Sequence, residues 1–161
     1  MRHMSNLEER RARAAADVAD GYMLATVGVA AAPERVFHAL TSTEITRWWV
    51  RPGVFTTTEW TGDVRAGGRW RAAGVALGRP WALEGEFVRI DAPRALVHTW
   101  RDPAAPHGMT TVTYLLEPGS GGGTQVTLRH AGFTARDVCV STCIGWETSF
   151  ERLAELLGGP G

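Results

Sequence analysis

From Cys139 to Leu157 the apolar side chains Cys139, Cys143, Trp146, Phe150, Leu153 and Leu157 recur at alternating steps of four and three residues. That period gathers them on one side of an α-helix. The opposite side carries Glu147, Glu151 and Glu155 with Arg152 beside them, the composition of a solvated face. Gly158, Gly159 and Pro160 then stop the helix. Burying six such side chains contributes roughly 10 kcal/mol as an upper figure. A helix of this kind folds only against a wide apolar surface, and the rest of the chain must provide it.

The preceding text reads as strands. Gly21 to Ala30 is β-leaning and uncharged, and gives a first strand. Pro33 then opens a helix with Val36, Phe37 and Leu40 on one face. Thr41-Ser42-Thr43-Glu44 breaks it, and a hydroxyl cap starts a second short helix through Ile45, Trp48 and Trp49. Six further strands are expected at about 54–61, 69–76, 81–90, 95–101, 109–117 and 125–130, separated by Gly- and Pro-rich joints. Short joints make neighbouring strands antiparallel hairpins. Trp81, Leu83, Gly85 and Phe87 alternate with Glu84 and Glu86, so one face of the sheet is apolar. The fold class is therefore α+β: a seven-stranded curved antiparallel sheet wrapped around a long C-terminal helix, with two short helices between strands one and two. Residues 21–159 form the single domain. Residues 1–20, charged and Ala-rich and beginning in a tag-like Met1-Arg2-His3-Met4, are expected to be a mobile tail.

Lys plus Arg equals Asp plus Glu at 17 each, so no net positive field draws the chain to nucleic acid or an anionic membrane. No apolar run has the length of a membrane span, and residues 1–20 lack the apolar segment of a secretory signal, which sets the expectation of a cytoplasmic location. Cys139 and Cys143 lie on the apolar stripe and read as small core residues. The competing readings are a redox pair or half of a metal site completed by His130. The segment from Gly119 to Gly123 lacks the Lys and Ser/Thr of a nucleotide loop and joins two strands, so it is a hairpin turn. The chain is expected to need no metal and no cofactor.

Seven Trp, five Phe and two Tyr supply flat apolar walls with a few polar handles, the make-up of a ligand pocket. The candidate lining is Phe37, Trp48, Trp49, Trp60, Trp70, Trp81, Phe87, His98, Trp100, Tyr114, Trp146 and Phe150. Trp146 and Phe150 are the firmest core positions. Trp48 and Trp49 are expected at an entrance, because adjacent residues on a short helix do not both point inward. For proton transfer the groups to inspect are His98, Glu84, Glu86, His130 and Tyr114. His98 stands out because Leu96 and Trp100 share its side of the strand, where a histidine titrating near neutrality would serve as general base. No catalytic set is assigned.

Several stretches resemble the SRPBCC or START-like superfamily, whose members have the helix-grip fold, and within it the bacterial branch related to the activator of Hsp90 ATPase (AHSA1-like). They are Ala31-Ala-Pro-Glu-Arg-Val-Phe-His-Ala-Leu40, Thr43-Glu44 with Arg47-Trp48-Trp49, Gly67-Gly68-Arg69-Trp70, Gly85-Glu86, and Arg89-Ile90-Asp91-Ala92-Pro93-Arg94. Leu96-Val97-His98-Thr99-Trp100, His130-Ala131-Gly132-Phe133 and Gly145-Trp146-Glu147 complete the set. The resemblance runs from about Tyr22 to Leu157. It implies a hydrophobic tunnel between sheet and helix, and roles as different as ligand binding, polyketide cyclisation or aromatisation, co-chaperone action and self-sacrificing resistance to a natural product. The expected partner is a hydrophobic, aromatic or polyketide-like small molecule, neither nucleic acid nor membrane. A protein partner stays open, as do monomer and homodimer.

Overall fold

The computed structural model describes residues 11–105 and 108–158. Its elements are β1 (Arg13–Asp17), β2 (Tyr22–Val29), α1 (Pro33–Leu40), α2 (Ile45–Trp48), β3 (Phe55–Gly62), β4 (Arg69–Ala76), β5 (Arg79–Asp91), β6 (Ala95–Trp100), β7 (Thr110–Pro118), β8 (Thr124–Ala131) and α3 (Arg136–Gly158). One antiparallel sheet has the order β1-β2-β8-β7-β6-β5-β4-β3. It has eight strands, not seven, and α3 lies across its concave face.

Period-two burial fixes which side faces the helix. Met23, Ala25, Val27 and Val29 of β2, Val112, Tyr114 and Leu116 of β7, and Val126, Leu128 and His130 of β8 are all buried. Register shifts between Thr57 and Glu59 in β3 and between Phe87 and Arg89 in β5 bend the far half of the sheet. Close approach at that bend depends on Gly85, where a Cβ would collide with the Thr99 carbonyl oxygen and with Trp70 Nε1.

The helical pair closes one end. Pro33 occupies the first turn of α1, and Thr41 Oγ1 returns to the Phe37 carbonyl at 2.8 Å at its end. Arg35 bridges to Glu44 through two bonds of 2.6 and 2.7 Å, joining α1 to α2. The hydroxyl expected to cap α2 instead shapes the turn before it, with Ser42 Oγ accepting from Glu44 N at 3.3 Å.

The extra strand corrects the expected tail. Residues 1–10 lie outside the described residues, but Arg13–Asp17 pairs with β2 from Arg13↔Thr26 to Asp17↔Tyr22. What holds it is the face of α3 expected to be solvated. Glu151 Oε2 accepts from Ala12 N at 3.0 Å and Glu147 Oε2 from Ala14 N at 3.1 Å. Arg11 Nη1 adds a 3.4 Å bond to the Ala154 carbonyl. Two N–H groups on the free side of an edge strand thus end on carboxylates, which removes a surface otherwise open to strand addition.

Replacing Glu151 with Ala leaves Ala12 N without its acceptor. We expect a loss of about 1–2 kcal/mol in urea unfolding. Amide exchange should quicken in β1 while β7 and β8 keep their protection, and equal acceleration throughout the sheet would show that β1 does not open separately.

Candidate functional site

The helix is gripped unevenly. It packs on β1, β2 and α2, whereas opposite β3, β4 and β5 its first half stands clear of the sheet. The gap is a cavity of about 440 Å³. Trp81, Ala82 and Leu83 of β5, Ala76 of β4, and Phe55 and Thr57 of β3 form its floor, with Val54 beside them. Ser141, Thr142, Gly145, Trp146 and Ser149 of α3 form its roof; Trp49, Trp100 and Asp102 complete the wall. Among the described residues of this lining Asp102 is the only charged side chain, and its Oδ1 accepts from Ala104 N at 2.8 Å.

Of the twelve aromatic candidates, Trp49, Trp81, Trp100 and Trp146 line the cavity. The other eight pack elsewhere in the core. Phe37, Trp48, Trp60, Trp70, Phe87, Tyr114 and Phe150 belong to its hydrophobic cluster, and His98 is buried against Trp70 at 5.1 Å between ring centroids. Trp48 Nε1 donates to the Ala39 carbonyl at 2.9 Å, and Trp70 Nε1 to the Thr99 carbonyl at 3.1 Å. The entrance expected at Trp48 and Trp49 is absent, since they are only 0% and 5% exposed. Helical geometry ends at Trp48; at Trp49 the backbone leaves it (φ −79°, ψ 67°), so both rings turn inward. Thr57 Oγ1 holds that bend by donating to the Trp49 carbonyl at 2.7 Å. Trp49 then sits among Trp48, Trp70, Trp100 and Trp146, with centroids 5.4–6.0 Å away.

A buried polar chain fixes two of the cavity walls. Trp146 Nε1 donates to His130 Nδ1 at 3.0 Å, so the neutral ring carries its proton on Nε2. Nε2 lies 2.6 Å from Thr110 Oγ1, which donates onward to the Trp100 carbonyl at 3.2 Å. With both ring nitrogens engaged, His130 has no lone pair left for a metal held with Cys139 and Cys143. Burial raises both thiols above their ordinary values, and Cys139 Sγ lies 3.6 Å from the Tyr22 carbonyl oxygen. Among the described residues no group of three or more His, Cys, Asp or Glu is placed to hold a metal ion.

The proton-transfer candidates are not brought together in the cavity. His98 donates from Nδ1 to the Thr99 carbonyl at 2.9 Å, and it lies outside the lining. Burial pulls its pKa down to about 4, partly offset by that bond, so it does not titrate near neutrality as expected. His130 is pulled down to about 3, by burial first and by His98 second. Burial raises the Tyr114 phenol well above its ordinary value. Glu84 bonds to Arg101 and stands with Glu86 in a second, outer hollow of about 220 Å³ with Arg69 and Arg71. The small residues of the roof escaped the sequence reading. Their signal was present in Ser141, Gly145 and Ser149, a stripe at steps of four that interrupts a bulky helix.

Both histidines are neutral in the folded chain and take up protons at about 6.5 when unfolded. Their contribution is thus fully present above that value and falls as pH drops toward 4 and 3. Urea unfolding at pH 7.0, 6.0 and 5.5 should show stability falling toward acid, approaching roughly 1 kcal/mol per pH unit for each ring below pH 6. His98→Phe should remove about half of that slope; an unchanged slope would mean that His98 carries its charge in the folded state.

The family described as Activator of Hsp90 ATPase homolog 1-like protein matches residues 30–158. Among solved structures, protein CV1439 from Chromobacterium violaceum is 24% identical over 86% of this chain and 99% of its own, with a TM-score of 0.74. Protein Ms6760 from Mycobacterium smegmatis is 18% identical over 92% and 98%, again with a TM-score of 0.74. CalU16 from Micromonospora echinospora is 25% identical over 86% of this chain and 77% of its own, with a TM-score of 0.61. No curated protein matches. The first two likenesses establish the fold alone, and the family match spans the helical pair, β3 to β8 and α3. This chain therefore belongs to the Activator of Hsp90 ATPase homolog 1-like family of the SRPBCC superfamily, with its helix-grip fold.

Proposed function

We propose that this protein binds a hydrophobic small molecule, aromatic or polyketide-like, in the cavity between β3–β5 and the first half of α3. The observation that carries the reading is the cavity itself: about 440 Å³, walled by four tryptophans and with one charged side chain among the described residues of its lining. That volume falls within the range of small-molecule sites. Flat indole faces suit flat ligands, and such a ligand gains most from leaving water where few charges compete.

Gly145 supports the same reading. It lies within α3, where glycine costs about 1 kcal/mol relative to alanine, yet a Cβ built there meets nothing within 4 Å. Glycine is not required for packing at this site; it keeps the roof thin over the cavity.

The direct test is native mass spectrometry of freshly purified protein against its denatured mass, followed by tryptophan emission across a panel of polycyclic ligands. A bound species or a saturable emission change is expected. A bare mass with no response to any ligand would overturn the reading. Gly145→Ala should raise unfolding stability by about 0.5–1 kcal/mol. Gly145→Leu should keep the far-ultraviolet spectrum and the melting temperature while lowering ligand affinity about 10-fold or more, because its side chain occupies the ligand's space. Unchanged affinity would place the ligand elsewhere.

A further inference from the structure

The roof of the cavity deepens along α3. Ser141 is exposed, Thr142 and Gly145 are half-buried, and Trp146 and Ser149 are buried. On the other walls Asp102 is exposed, whereas Trp49 and Thr57 are buried. The cavity therefore has a mouth beside Ser141 and Asp102 and an inner end at Ser149. At its usual rise the helix advances about 12 Å between Ser141 and Ser149, so the two ends are well separated.

At the inner end most polar side-chain atoms are engaged or sealed. Thr57 Oγ1 donates to the Trp49 carbonyl at 2.7 Å, and Trp146 Nε1 to His130 Nδ1 at 3.0 Å. Trp49 Nε1 is closed off, so no ligand in the cavity reaches it. Ser149 differs from all three. It is only 4% exposed and its hydroxyl bonds to no described residue, yet that oxygen is not sealed as the Trp49 nitrogen is. Other hydroxyls of the same helix turn back on the backbone: Ser141 Oγ donates to the Val138 carbonyl at 3.2 Å and Thr148 Oγ1 to the Ile144 carbonyl at 3.0 Å. Ser149 makes no such bond. Alanine in its place would be the better helix former and would leave no polar group to desolvate. A buried hydroxyl held without a protein partner, on the surface of an apolar slot, points to a ligand atom as its partner.

Resting on the binding reading above, we propose that Ser149 is the polar recognition point of the cavity, and that the ligand is an aromatic molecule carrying a hydroxyl or carbonyl oxygen at its inner end. A serine hydroxyl both donates and accepts, so it pairs with either group. The rings then lie along Trp81, Trp100 and Trp146, and the opposite end of the ligand stays near the mouth. Ser149 determines specificity: the indole faces hold the ring system whatever it carries, and the hydroxyl discriminates among ring systems of equal size and fixes their direction.

The test uses three probes on one skeleton, naphthalene, 2-naphthol and 2-acetylnaphthalene, bound to the full chain in equilibrium dialysis. In Ser149→Ala the affinity for the two oxygenated probes should fall roughly 3- to 10-fold while that for naphthalene holds, and Ser149→Thr should restore the difference. Because oxygenated and plain probes are compared on the same variant, a general change in the cavity does not mimic the effect. A fall for the naphthol alone would assign the hydroxyl as acceptor, and a fall for the ketone alone would assign it as donor. Without ligand, Ser149→Ala should unfold at the same or a higher urea concentration than the unaltered chain; a clear loss would show that the hydroxyl has a partner inside the folded protein and overturn the assignment. Equal changes for all three probes, or none, overturn recognition by Ser149 while leaving the binding function standing. Failure of all three probes to bind the unaltered chain removes the proposal together with the aromatic-ligand reading on which it rests.

Discussion

The position of α3 over the sheet depends on the hydrogen-bonded chain from Trp146 through His130 and Thr110 to the Trp100 carbonyl. A buried polar chain is stabilising only when every member is satisfied, and here the bond from Trp146 decides the tautomer that completes the rest. Protonating His130 would turn Nδ1 into a donor facing another donor. Burial and geometry therefore favour the same neutral ring. The chain joins the helix to three adjacent strands, β8, β7 and β6, and so sets the height of the helix above them. Trp100 and Trp146, whose rings stand 5.6 Å apart, belong both to this chain and to the cavity wall. Apolar contacts alone are non-directional and would let the helix slide by a fraction of a turn; the chain specifies one position.

From that fixed height the asymmetry of the fold follows. On one side β1 closes against the helix through two carboxylates, and β2 follows it from Cys139 onward. On the other side bulges turn β3 and β5, and the helix presents small side chains instead of large ones. Neither feature alone makes a cavity. Large residues at 141, 145 and 149 would fill the gap under the same sheet, and a sheet that followed the helix closely would shut down on the same small residues. The cavity exists where sheet curvature and a thin roof coincide.

Much of this was legible in the sequence. Gly- and Pro-rich joints delimit β2 to β8, and the four-three spacing from Cys139 to Leu157 predicts the helix and its buried stripe, because both signals are local. β1 was not legible. Its Arg-Ala-Ala-Ala-Asp sequence has no strand preference, and it is extended because it pairs with β2 and ends on Glu147 and Glu151, more than 130 residues later. The same contacts explain why Glu147 and Glu151 do not belong to the expected solvated face, while Glu155 is exposed as expected: composition does not distinguish water from backbone N–H as the partner of a carboxylate. At the site, aromatic content announced a cavity but not its walls. Trp48 and Trp49 are neighbours in sequence, yet only Trp49 lines it, because a single bend at the helix end separates their directions.

Locally unfavourable choices are concentrated at this cavity. Gly145 weakens the helix at a position with room for a side chain, and two indole N–H groups go unpaired where three others have found acceptors. A chain optimised for stability alone would place alanine or leucine in the roof and fill the space with its own side chains. Elsewhere alternation matches burial, Gly85 stands where a Cβ would clash, and the indoles of Trp48, Trp70 and Trp146 meet acceptors, with Arg152 Nε an exception outside the cavity. Unfavourable local choices gathered around a cavity fit the proposed ligand site, where stability is given up for something the folded chain accommodates. The character of the disagreement is also specific. The volume beneath Gly145 asks for bulk that the chain does not supply. A ligand bound there, as proposed, would supply that bulk while the roof stays thin.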